Sequence, residues 1–288
     1  MQHYFLLFAL LFITLPIISQ ERIISGKIQN NEDQSILPYV NIGINQKGVG
    51  TVSDADGFFN LKLTDAIKKN DTILFSFIGF KTQKILVSEL KNTENIIRLE
   101  PEQTVLEEVV VNAKKLKAKR IGTAYKGIGF MHFNFYTAYE KEVDDRLSKE
   151  MGMKFNIRRN CNVKDLNFNI TQNEFSSLKF RVNFYRIENN VPAELLNKKD
   201  IMIEIKDNFT GLFTADLDKY DIFLDEKLEE IAVTIQWVES VKKEDSSKFF
   251  AIATVMSAVT TTYTREKVMD NWNKTGASLS FYLNTMCE

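Results

Sequence analysis

Hydrophobic and polar positions alternate with a period of two along much of the chain, the signature of half-buried β-strands. In "YVNIGIN", Val40, Ile42 and Ile44 stand against Asn41, Gly43 and Asn45; in "FNLKL", Phe59, Leu61 and Leu63 stand against Asn60 and Lys62. "RIISGKIQ" alternates more weakly. "TILFSFIGF" is a continuous apolar run, as a strand covered on both faces would be, and "ENIIRLE" closes the set. The turn-forming stretches "QNNEDQS", "QKGVG", "DADG" and "KKND" separate these runs. Short strands at even spacing with such turns predict a small β-sandwich over residues 21–100.

The same period returns further on. "MGMKFNI" places Met151, Met153, Phe155 and Ile157 on one face, and "VKDLNFNIT" offers Leu166, Phe168 and Ile170. "LKFRVNFYRI" sets Phe180, Val182 and Phe184 opposite Lys179, Arg181 and Asn183. "IMIEIKD", "GLFTADL", "IAVTIQWVE", "FFAIATVM" and "ASLSFYLN" continue the pattern. About eight such strands predict a second, larger β-sandwich of jelly-roll kind, over residues 121–288. The expected fold class is therefore all-β. "AYEKEVDDRLSKE" is too charged for a central strand and is expected as a loop or helical turn, and Pro192–Leu196 as one helical turn between strands. Residues 101–120, charged on both sides of a short Val run, read as a linker. It ends in the basic run Lys114–Arg120, a solvated stretch with contact to anionic lipid or sugar as the other reading.

The 288 residues suit two domains at roughly 150 residues each. A net charge of −1 gives no basic face for nucleic acid. The start of the chain reads differently from the rest. An apolar run from Tyr4 to Ile18, broken by Pro16 and followed by Ser19, Gln20 and Glu21, has the shape of a secretory signal peptide over residues 1–20. Export is the expectation, with no spanning helix after cleavage, since no later segment reaches the ~20 apolar residues a span needs. In an oxidising compartment Cys161 and Cys287 could pair, although Cys287 is next to last in the chain and tails fray.

The order of motifs in the first part carries a family resemblance. Gly26 follows the first strand start. A strand opens at Pro38, the turn and strand "GTVSDADGFF" occupies Gly50–Phe59, and "SFIGF" occupies Ser76–Phe80. Over Arg22–Leu99 the chain resembles the carboxypeptidase-like regulatory domain, a transthyretin-type β-sandwich common in envelope proteins of Bacteroidetes-type bacteria. Gly57 suits the positive-φ position of the tight turn, with Asp54 and Asp56 bonding to backbone around it. In relatives this domain precedes a TonB-dependent receptor. There a segment like Leu106, Glu107, Glu108, Val109, Val110 and Val111 looks like the box that meets the energy-transducing partner. A 22-stranded barrel needs ~220 residues for its strands alone, and 168 follow Arg120, so a transport receptor is not expected. The stretch Leu178–Glu239 resembles a domain often attached to this module, which brings an architecture and no chemistry.

Zinc peptidase chemistry needs two imidazoles and a carboxylate, but His132 is followed by Phe133, Asn134 and Phe135, and the mature chain has no second His. There is no G-x-S-x-G elbow, and "GTAYKGIG" follows a linker rather than a strand entering a helix. The acids Asp216, Asp218, Asp221, Asp225 and Glu226 read as a solvated turn, with a Ca²⁺ site as the other reading. Trp237 shares parity with Val233 and Ile235 and is expected in the core, whereas Trp272 in "MDNWNKTG" is the better candidate for an exposed ring that stacks on sugar.

The expectation is a non-catalytic exported envelope protein, in the periplasm or at the outer membrane or cell surface, that binds a protein partner or a glycan without a cofactor. The candidate binding residues are Trp272, Glu107, Glu108, Val109, Val110 and Val111. Two readings of that last segment stay open: an edge strand guarded by its charged flanks, or a strand that pairs with an envelope protein. The alternative function is a glycan hydrolase using an Asp/Glu pair in the second sandwich.

Overall fold

The computed structural model describes residues 22–102, 116–124, 131–138, 140–257 and 260–288. The expected signal peptide and the Leu106–Val111 segment lie outside the described residues. Those described form strands and short 3₁₀ turns, without an α-helix.

Seven strands build a smaller sandwich: β1 (Arg22–Asn30), β2 (Asn41–Ile44), β3 (Val49–Val52), β4 (Phe58–Leu63), β5 (Thr72–Ser76), β6 (Gln83–Leu86) and β7 (Asn95–Leu99). They form a three-stranded sheet, β4-β1-β7, facing a four-stranded sheet, β3-β2-β5-β6. The period-two residues meet between the sheets, where Ile24, Ile42, Ile44, Phe59, Leu61 and Phe75 share one core. The "SDADG" stretch turns as its sequence requires. Gly57 has φ +73°, and Asp54 Oδ1 accepts from the N–H groups of Asp56 (2.9 Å) and Phe58 (2.8 Å).

Fifteen strands follow. They are β8 (Lys117–Thr123), β9 (His132–Asn134), β10 (Glu150–Asn156), β11 (Cys161–Asn173), β12 (Phe175–Glu188), β13 (Val191–Leu195), β14 (Met202–Lys206) and β15 (Gly211–Asp216). After these come β16 (Phe223–Leu224), β17 (Glu230–Lys242), β18 (Phe250–Met256), β19 (Thr262–Arg265), β20 (Asn273–Thr275), β21 (Ala277–Leu279) and β22 (Phe281–Cys287). One sheet runs β13-β12-β17-β10-β19-β20, with β14 also on β12. The other runs β21-β18-β11-β22-β8, with β15 and β16 on β11 and β9 on β18. Between them lies the larger core. Trp237 is fully buried at its centre, edge-on to Phe175 (5.2 Å) and Phe180 (5.4 Å).

Three local expectations change. Of the stretch Pro192–Leu196, all but Leu196 lies in strand β13 rather than in a helical turn. Asn189 and Asn190 both take positive φ (51° and 61°) and form a two-residue hairpin loop that pairs Glu188 with Val191. The basic run is strand from Lys117 onward: its backbone pairs with β22 and Ile121 packs on the core, while its cationic side chains line an exposed edge. Cys161 and Cys287 occupy facing positions on β11 and β22 and are joined as a disulfide. The tail does not fray there because β22 is held between β11 and β8. The charged stretch before β10 forms a 3₁₀ turn at Val143–Arg146, as its composition suggested.

Candidate functional site

The two sandwiches dock face to face. Asn41 and Gly43 alternate with the core residues Ile42 and Ile44, so they lie on the outer face of the four-stranded sheet. That face meets the outer face of the seven-stranded sheet, where Lys179, Arg181 and Asn183 alternate with the core residues Leu178, Phe180, Val182 and Phe184. Gly43 and Gly50 stand opposite each other across β2 and β3. Both lie under Val268, whose carbonyl oxygen is 2.9 Å from where a Cβ on Gly43 would stand and 3.2 Å from one on Gly50. A strand glycine here permits close backbone approach. Beside this seat the Gln46 N–H donates to the Met269 carbonyl over 3.0 Å.

A polar network closes the contact. Arg181, 2% exposed, donates to both oxygens of Asp200 (2.5 and 3.0 Å), to Gln236 Oε1 (3.2 Å), to Asn41 Oδ1 (3.3 Å) and to the Tyr39 carbonyl (2.7 Å). Gln236 Nε2 also donates to Asn41 Oδ1, over 2.9 Å. The Tyr39 hydroxyl donates to Glu239 (2.7 Å) and accepts from Lys179 (3.0 Å), which also pairs with Glu239 (2.7 Å). Those bonds, from Glu239 first and then Tyr39, hold the Lys179 ammonium above its ordinary range.

Along one side of this contact the sandwiches part into a cleft of 1120 Å³. Its walls include β3 and β4 of the smaller sandwich, and the segment around Val143–Arg146, the end of β17 and Lys267 of the larger. Buried cations hold the far wall. Arg146 pairs with Glu140 (2.7 Å), donates to the Lys248 carbonyl (2.7 Å) and lies 4.8 Å from the Trp237 ring. Lys149 pairs with Glu266 (2.9 Å). Asp145 receives Lys62 of β4 over 2.7 Å. Burial opposes the charge on Asp145, but the bonds from Lys62 and from the Glu142 and Lys141 N–H groups outweigh it and hold the carboxyl below its usual range. Lys267, half-buried, donates to the carbonyls of Asp145 and of Leu147 (3.2 Å). Burial pushes its amine down to about 8, with Asp145, Glu140 and Glu266 opposing.

Trp272, His132 and the acids of the Asp216–Glu226 stretch lie away from this cleft. Trp272 is half-buried and stands over the Arg265 guanidinium at 4.3 Å, edge-on to Tyr185 (5.7 Å) and Tyr263 (6.4 Å). Arg265 pairs with Glu150 (2.5 Å), a fully buried carboxylate that also accepts from Asn183 (2.8 Å) and Thr234. Glu107, Glu108, Val109, Val110 and Val111 lie outside the described residues. His132 is exposed on β9. Asp216 and Asp225 accept from backbone N–H groups two residues on, and Asp218 pairs with Lys164 (2.5 Å). Among the described residues no group of three or more His, Cys, Asp or Glu is placed to hold a metal.

Of the residues that join the sandwiches, Asn41, Arg181 and Gln236 escaped notice because each falls on the polar side of its strand, and Tyr39 because it stands in the turn before β2, at φ +55°. Gly43 and Gly50 were the available signal, since a glycine inside a strand marks a close backbone approach.

Comparison with known proteins agrees with the motifs of the smaller sandwich. Residues 24–111 match the model of the CarboxypepD_reg-like domain family, a match that runs on through Leu106–Val111. A TonB-dependent receptor P3 from Formosa agariphila is 36% identical over 102 residues, which is 35% of this chain and 10% of that receptor. The chain therefore matches a tenth of that relative's length. A solved structure, "Structure of infectious bursal disease virus Gx strain", aligns with 92% of this chain and 64% of that one, at 9% identity and a TM-score of 0.24. A likeness of that degree carries no argument. Residues 24–111 thus match the CarboxypepD_reg-like domain family, and the sandwich described over residues 22–99 packs in this protein against a larger β-sandwich.

Proposed function

We propose that this is a non-catalytic, exported envelope protein that binds a partner, a protein or a glycan, in the cleft between its two sandwiches. The observation that carries the reading is the cleft itself: 1120 Å³ of space left open where two domains are otherwise joined by buried polar bonds. Ligand sites favour such domain boundaries. Similarity of the first domain to the start of a TonB-dependent receptor supports a place at the outer membrane.

The cleft carboxylates speak for binding over hydrolysis. Four of the seven carboxylates that line the cleft, Glu140, Asp145, Glu239 and Glu266, are each engaged by a lysine or arginine, and Asp145 is held below its ordinary range. A glycosidase acid needs a raised one.

The test is affinity capture from the native envelope fraction, comparing the mature protein with a variant carrying Glu142→Arg and Asp144→Arg on the exposed rim. A protein or polysaccharide enriched by the first and lost with the second supports the reading. Turnover of an envelope polymer by the purified protein, abolished by changing one cleft carboxylate, overturns it.

A further inference from the structure

Strand β3 lies at the edge of its sheet, paired with β2 on one side and facing the cleft on the other. The Ser53 N–H donates to the Val40 carbonyl over 3.0 Å, which sets the phase of the ladder. Ile42 exchanges bonds with Thr51 and Ile44 with Val49, so Gly50 and Val52 turn their N–H and C=O groups away from β2 and toward the cleft. Both residues line the cleft and both are buried. Among the described residues no backbone group bonds to them from beyond β2, and the Val52 carbonyl accepts a long 3.4 Å bond from the hydroxyl of its neighbour Thr51. Backbone donors and acceptors withdrawn from bulk water call for a partner.

Edge strands are usually blunted by lysine, proline or a bulge. "VGTV" has none of these. Its surroundings differ from those of a free edge: residues Glu140 to Asp145 and Leu147 of the larger sandwich line the same cleft. The space exceeds the ~300–1,000 Å³ of small-molecule sites.

We infer that the cleft receives an extended segment of a partner polypeptide, which adds to β3 as a strand and bonds to Gly50 and Val52. The inference rests on the binding-module reading and names the form of the partner. The repeat of the exposed groups selects it. An extended peptide presents an N–H and C=O pair on one edge every second residue, ~6.8 Å apart, as Gly50 and Val52 do. Sugar hydroxyls have no such fixed repeat. Main-chain bonds of this kind supply affinity whatever the side chains are.

The probe is a bead-displayed library of random decapeptides, panned on the full mature protein. Enriched peptides are resynthesised with every second residue N-methylated, in both phases. One phase removes the N–H groups that would face β3, and the other leaves them in place. The expected result is at least a tenfold loss of affinity in one phase only. The chain variant Val52→Pro, which deletes one cleft-facing N–H and no β2–β3 bond, loses affinity similarly. Amide hydrogen exchange at Gly50 and Val52 slows on binding. Absence of any enriched peptide, or equal affinity in both N-methylated phases, overturns the inference; the peptide arm decides the matter even where Val52→Pro does not fold. Capture of a glycan alone would leave the binding-module reading standing while removing this one.

Discussion

Arg181 of the larger sandwich donates through Nη2 to the main-chain carbonyl of Tyr39 in the smaller, over 2.7 Å. The same planar group reaches Asp200, Gln236 and Asn41. A guanidinium can serve several acceptors at fixed angles, which an ammonium cannot. Arg181→Ala strands the Asp200 carboxylate and the Tyr39 carbonyl, and breaking a buried pair this way costs ~3–5 kcal/mol. Urea denaturation should show that loss, with the single transition resolving into two as the sandwiches uncouple. Arg181→Lys should recover only part of it.

Gly43→Val tests the seat beneath Val268. The new Cβ would stand 2.9 Å from a backbone carbonyl, which cannot swing aside as a side chain can. Overpacking of this kind costs ~1–3 kcal/mol. Because the added group points out of the smaller core, both sandwiches should keep their own folds while the contact opens. Small-angle scattering should report a larger radius of gyration with an unchanged strand content by circular dichroism.

Lys267 gives a pH dependence of definite sign. Its folded-state amine titrates at about 8, below the ~10.4 of an unfolded lysine. Below pH 8 both states are protonated and the folded state bears the full cost of the half-buried charge. Between pH 8 and ~10.4 the unfolded chain binds more protons, so stability contributed at this site rises with pH. Lys267→Met should flatten that rise. The comparison is unfolding free energy for both proteins across pH 7–10, read as a difference so that other groups cancel.

The Cys161–Cys287 disulfide closes a loop with a sequence separation of 126. Chain entropy assigns ~4.7 kcal/mol to a loop of about 100 residues, and disulfides typically deliver ~2–4 kcal/mol. Cys161→Ser with Cys287→Ser should lower the unfolding free energy by an amount of that order, read as an earlier urea midpoint. Alkylation under non-reducing denaturation, followed by mass spectrometry, should find neither thiol free in the unmodified protein.

The two-sandwich plan was legible because burial writes itself into parity. Ile42 with Ile44, and Phe180 with Val182 and Phe184, mark inward faces, and Trp237 shares their logic and is fully buried. Parity is silent about what covers the outward faces. Arg181, Asn41 and Gln236 carry the polarity that water would favour, yet each meets the other domain instead. Trp272 stands in a polar stretch, and its packing joins Arg265 and Tyr263 of the preceding strand β19 to the distant Tyr185 of β12. The hairpin at Asn189–Asn190 was legible in principle, since two left-handed Asn residues suit a tight turn, but the helical look of "PAELL" masked it.

Strand β22 has a consequence for how the protein comes to be folded. It lies between β11 and β8, two strands made much earlier during synthesis. Until Phe281–Cys287 arrive, both wait with open edges, and the larger core is exposed along that seam. The smaller sandwich takes all its strands from residues 22–99 and can complete its sheets first. The larger one is the slow, vulnerable half, dependent on long-range pairing. Whatever accompanies the chain during its synthesis has most to protect in the interval before that strand is delivered.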